Sequence, residues 1–143
     1  RNSMWVPYAI LSAIFAAAVA IFGKIGLKGI DSTLATTVRS VIMALFLLAV
    51  ALSMGKFSGW TFETFGSKAW LMIALSGIAG ALSWLFYFVA IKNGNVTAVA
   101  AIDRLSIVFV ILLSALFLGE ALTWKTGAGA LLVALGAFLI VWK

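Results

Sequence analysis

Cysteine and histidine do not occur in these 143 residues. Their absence excludes disulfides, thiolate and imidazole metal ligands, and Ser-His or Cys-His nucleophilic catalysis. Charge is nearly as scarce. Only 10% of the residues are Asp, Glu, Lys or Arg, against ~25% in an ordinary soluble domain. Ten basic and four acidic side chains cannot provide a polar shell for a chain of this length, so a water-soluble globular fold is excluded. Disorder is excluded as well, because disordered chains are polar and this one is 65% hydrophobic. A Gly-rich phosphate loop, paired carboxylates and a metal-ligand constellation are all missing, so neither enzyme activity nor a cofactor or metal is expected. What remains is a polytopic membrane protein with the bilayer as its main solvent.

Five apolar runs each approach the ~20 residues that span the hydrocarbon: Met4–Gly23, Thr33–Ser53, Ala69–Ile91, Val96–Leu118 and Thr126–Trp142. None alternates with the period of two that a membrane barrel requires, so the expected fold class is all-α, an integral bundle of five transmembrane helices. Arg1-Asn2-Ser3 reads as a short remnant ahead of Met4, the expected natural start, with a single five-helix domain over residues 4–143. Asp31-Ser32-Thr33 offers an N-cap for the second helix. Residues 54–68 make the longest loop, and Lys92-Asn93-Gly94-Asn95 makes a tight turn. Trp5, Trp60, Trp70, Trp124 and Trp142 all fall near expected interfaces, as aromatic-belt residues do. Small residues at helical spacing offer close packing faces: Ser12, Ala16 and Ala20; Ala13 and Ala17; Gly77 and Ala81; Gly129 and Gly136.

The net charge of +6 does not point to nucleic acid, because the basic residues lie singly between apolar runs, as membrane-end anchors do. Five spans put the termini on opposite sides, here called side A for the N-terminus and side B for the other. Side A carries Lys56, Lys68 and Lys125, with Arg1 if native; side B carries Lys24, Lys28, Lys92 and Lys143. The near-balance leaves two readings open. One is a fixed orientation, tilted by Arg39 and Arg104 toward side B cytoplasmic. The other is dual topology, with the same chain inserting both ways and two copies pairing antiparallel.

Three charges fall inside the spans, where each costs ~2.5–3.5 kcal/mol on insertion scales and marks a pathway or a pair. Arg39 lies about six residues into the second helix, and Asp103 and Arg104 about seven and eight into the fourth. At 1.5 Å per residue, all three lie roughly 9–12 Å below side B. Trp84 and Tyr87, on the third helix, fall near the same level. A layer of charge and aromatic rings at one depth is what a site for a polar small molecule needs. Arg39 with Asp103 also reads as a structural ion pair. Asp103 reads equally as a proton carrier, and the surplus positive charge of the layer as a receptor for an anion.

Leu118-Gly119-Glu120-Ala121-Leu122-Thr123-Trp124-Lys125, followed by Gly127, Gly129 and Gly136, resembles the end of an EamA domain, the repeat unit of the drug/metabolite transporter superfamily. Ala90-Ile91-Lys92-Asn93-Gly94-Asn95-Val96-Thr97-Ala98 resembles the family's turn between its third and fourth helices. Lys24-Ile25-Gly26 and Arg39 resemble its first-loop and second-helix positions. The resemblance covers the chain from Met4. One departure is Ile102-Asp103, where the family often places Pro. Many EamA proteins hold two such units in inverted orientation, whereas this chain holds one.

The resemblance implies a secondary transporter or exporter of a small metabolite or drug-like molecule, working by alternating access as an antiparallel homodimer in a bacterial or archaeal inner membrane. The expected partners are a small-molecule substrate, the bilayer and a second copy. The expected cavity residues are Arg39, Asp103, Arg104, Trp84 and Tyr87, with Glu120 in a capping role. A structural or accessory subunit without transport and a flippase for lipid-linked substrates remain open as alternatives.

Overall fold

A computed structural model describes residues 3–142. Arg1 and Asn2 of the expected remnant, and Lys143, lie outside the described residues. Among the described residues the protein is all-helical, with five helical spans long and apolar enough to cross a membrane. They comprise α1 (Trp5–Gly26), α2 (Ser32–Ser53), α3 (Ser67–Asn93), α4 (Val96–Asp103) with α5 (Ser106–Leu113), and α6 (Trp124–Val141). Pro7, the chain's single proline, falls in the first turn of α1, where its missing N–H would have had no intrahelical acceptor.

The fourth span is interrupted. Between α4 and α5 the backbone tightens at Arg104 and Leu105, where Leu105 N–H donates to Ile102 O at 2.9 Å and Ile107 N–H to Arg104 O at 3.1 Å. These bonds skip three residues instead of four, the 3₁₀ pattern that often marks a hinge in mid-helix. The interruption adjoins Ile102-Asp103, where the sequence departs from the family's frequent proline, so the tightening here arises without one. The span then ends in a π-helical turn at Ser114–Leu118, closed by Gly119 in the left-handed region at φ 68°. Glu120 does its capping through the backbone, donating its N–H to Ser114 O at 3.2 Å. The side chain that caps α6 belongs to Thr123, which accepts from Thr126 N–H.

The chain divides into two compact units: residues 25–92, and residues up to 24 together with those from 93 onward. In the second of these, α6 packs against both α4 and α5. The buried residues of α4 and α6 are Ala101 and Ala137, and one-carbon side chains let helix backbones approach closely. Lys24, in the last turn of α1, donates from Nζ to Gly94 O at 3.0 Å and so ties α1 to the turn before α4. Asn95 caps α4 by accepting from Ala98 N–H.

In the unit of residues 25–92, Asp31 caps α2 and accepts from Leu34 N–H at 2.9 Å. Leu27, Thr36, Phe88 and Ile91 are buried. Lys92 Nζ donates to Ile30 O, closing the side-B end of this unit. At the other end the connection after α2 is no open loop. Phe57, Phe62, Phe65 and Trp70 gather around Trp60 at centroid distances of 5.2–6.4 Å, and Trp70 Nε1 donates to Phe62 O at 2.8 Å. A short 3₁₀ turn, Phe62–Thr64, runs through this aromatic knot.

The small-residue faces divide unevenly. Ala20 is buried, but among the described residues a Cβ built on Gly77, Gly129 or Gly136 meets no atom within 4 Å beyond its own stretch of helix.

Candidate functional site

Arg39 and the aromatic residues meet within one unit. Trp84, Tyr87 and Phe88 share one face of α3 because residues three and four apart on a helix are neighbours. Trp84 stands 5.3 Å from Tyr87 and 5.7 Å from Phe88, centroid to centroid. Over this cluster α2 lays Arg39, whose guanidinium carbon is 4.2 Å from the centre of the Trp84 ring and 5.1 Å from that of Phe88. Thr36 and Ser40, close to Arg39 on α2, spend their hydroxyls on their own helix: Thr36 on Ser32 O and Ser40 on Thr36 O, both at 2.8 Å. These bonds use the hydroxyl protons and hold both groups against α2.

Magnitudes show what the rings achieve. A cation over an aromatic face gains ~0.5–2 kcal/mol, the upper end applying when it is desolvated. A guanidinium near the centre of a span costs ~2.5–3.5 kcal/mol. The rings offset part of that cost and leave the N–H edges still seeking an acceptor.

Phe88 was not among the residues expected at this site, yet it is buried and supplies the second ring. Its signal in the sequence was its position four residues after Trp84, on the same helical face.

The other unit holds Asp103 and Arg104 at the interruption of the fourth span. Their side chains approach to 3.9 Å, the outer limit of an ion pair, and are 40% and 58% exposed. Asp103 is the last residue of α4, and Arg104 is its C-cap, where a cation meets the negative end of the helix dipole. Adjacent residues diverge around a helix, which accounts for the long pair distance. Among the described residues, no group of three or more Asp and Glu could hold a metal ion.

An EamA-like transporter family model matches residues 3–142. The chain belongs to that family. Its sequence is also 40% identical over 140 residues to an uncharacterized transporter in the cobO 3′ region of a Sinorhizobium species, covering 97% of each chain. No solved structure matches. The EamA family is one of multi-pass membrane transporters and not of enzymes, so the charges inside these spans belong to a protein class that handles small-molecule substrates.

Proposed function

We propose that this EamA protein is a secondary transporter or exporter of a small metabolite or drug-like molecule. It works by alternating access as an antiparallel homodimer in a prokaryotic inner membrane, with Arg39, Trp84, Tyr87, Asp103 and Arg104 lining the transport path. The observation that carries this reading is charge within apolar spans. Asp103 and Arg104 are 40% and 58% exposed in a single copy, about 6 Å from the middle of a span whose other residues are apolar or small. Lipid is a poor environment for either group, whereas a water-filled path lined by two repeats accommodates both.

The interruption beside these residues supports the same reading. Transporter folds often place discontinuous helices at their midplane sites. Nearly balanced loop lysines support insertion both ways, and two copies inserted oppositely would supply a pair of inverted repeats.

The direct test is uptake into proteoliposomes over a panel of organic anions, cations and neutral solutes, with and without a pH gradient. The expected result is accumulation of one class. No uptake across a broad panel, from protein shown to be folded, would give the accessory-subunit reading the advantage.

Assembly has its own test. A Cβ added at Gly77 or Gly136 meets nothing within 4 Å among the described residues beyond its own stretch of helix, so a larger side chain at either position is expected to leave one copy folded. If these faces meet the partner, Gly77→Leu or Gly136→Leu converts dimer to monomer on a sizing column and abolishes uptake, with helix content unchanged by circular dichroism. A strictly monomeric wild-type protein that transports when reconstituted at one copy per vesicle would overturn the dimer.

A further inference from the structure

Both acids of the unit that holds Arg39 lie away from it along the chain. Asp31 caps α2 two turns before Arg39, ~12 Å away along the helix axis at 1.5 Å per residue. Glu63 lies in the short turn beyond the far end of α2. Against these two acids the unit carries Lys28, Arg39, Lys56, Lys68 and Lys92. The rings of Trp84 and Phe88 occupy one side of the guanidinium, and within its unit none of its hydrogen-bond donors meets an acceptor among the described residues.

A guanidinium stacked on rings is held in orientation while its planar fork of N–H groups stays available. That fork matches the two oxygens of a carboxylate or phosphate. Trp84 and Tyr87, both only partly buried beside it, offer an apolar wall next to the charge. Within its own unit, the described surroundings of Arg39 thus present one cation, a fork of donors and aromatic surface, and no local carboxylate to compete.

We propose that the Arg39–Trp84 cluster binds an amphipathic organic anion, with the oxyanion on the Arg39 fork and the apolar body against Trp84 and Tyr87. The inference rests on the transporter reading for its biological meaning, since it names the class of molecule carried, but binding itself does not depend on transport. The same chemistry is available from a dissolved solute and from an anionic lipid headgroup.

The test uses purified protein and four probes: benzoate, phenyl phosphate, phenethylammonium and benzyl alcohol. Each is titrated while the thermal unfolding midpoint and tryptophan emission are followed. A ligand that binds only the folded state raises the midpoint with its concentration. Benzoate and phenyl phosphate are expected to do so, and the cation and the alcohol are not. Arg39→Gln should weaken anion binding at least tenfold. Arg39→Lys, which keeps the charge but loses the fork, should retain weaker binding and a folded protein if the Gln variant fails to fold.

Nanodiscs of phosphatidylcholine with and without phosphatidylglycerol separate the two sources. Displacement of benzoate by phosphatidylglycerol assigns the site to a lipid headgroup, and undiminished benzoate binding assigns it to a solute. Equal anion binding by wild type and both Arg39 variants overturns the proposal, as does preference for the cation. Anion binding without any uptake leaves this site standing and removes the transport reading. Uptake restricted to cations, with no anion binding, does the reverse.

Discussion

Two variants locked in opposite orientations are expected to transport when co-expressed and to be inactive when expressed alone. Lys56→Ala with Lys68→Ala strips cations from side A. Lys24→Gln with Lys28→Ala strips them from side B, the glutamine retaining a donor for Gly94 O. Each pair of changes tips a nearly even distribution of loop lysines, and positive charge on the cytoplasmic side decides insertion. Because the chain has no cysteine, one introduced at Ser58 is the sole thiol for side-specific labelling. Wild type should label from both faces of the membrane and each locked variant from one. The expected change in uptake is all-or-none: background for either variant by itself, and substantial recovery together. Full activity from either locked variant alone ends the antiparallel reading.

Much of the fold behind that experiment is legible in the sequence, because lipid imposes long apolar runs that nothing else explains. Val96–Leu118 is both the apolar run and the structural span, and Thr33–Ser53 differs from α2 by one residue. The third helix extends beyond its apolar run at both ends, to Ser67 and Asn93, because hydropathy registers lipid contact and helix hydrogen bonding continues past it. The interruption at Arg104–Leu105 and the π turn at Ser114–Leu118 carried no such signal. Neither contains a proline or glycine, and both arise from which carbonyl each N–H selects.

The lysines show a second limit. Lys24 and Lys92 read as membrane-end anchors, yet each donates to a backbone carbonyl far away in sequence. Charge placement reveals that a lysine lies near an interface, but not that a turn there has an open acceptor. Arg39 was legible as an intramembrane charge and Trp84 as the tryptophan away from the interfaces, but their stacking depends on how α2 meets α3, which periodicity does not encode.

Asp103→Asn is expected to destabilise the folded protein by up to ~1 kcal/mol, the scale of a solvent-accessible ion pair. The Arg104 guanidinium stands 3.9 Å from the Asp103 carboxylate. Removing the acid leaves that charge without its neighbour, so Arg104→Gln in the same chain should restore most of the loss. Unfolding of reconstituted protein by denaturant, compared across the two single variants and the double variant, measures this coupling. A proton-carrying Asp103 gives a different signature: uptake loses its dependence on the pH gradient while stability stays unchanged. Unchanged stability together with unchanged gradient-driven uptake would remove Asp103 from both roles.

The aromatic knot after α2 has a mechanical consequence. A slack connection would let α2 and α3 slide or tilt independently, each following its own lipid contacts. Trp60 in the centre of Phe57, Phe62, Phe65 and Trp70 removes that slack at one end of the pair, and Lys92 on Ile30 O removes it at the other. Fastened at both ends, α2 and α3 have few independent degrees of freedom. Any rocking that exposes first one side and then the other must carry them as one lever, with Arg39 and Trp84 travelling together.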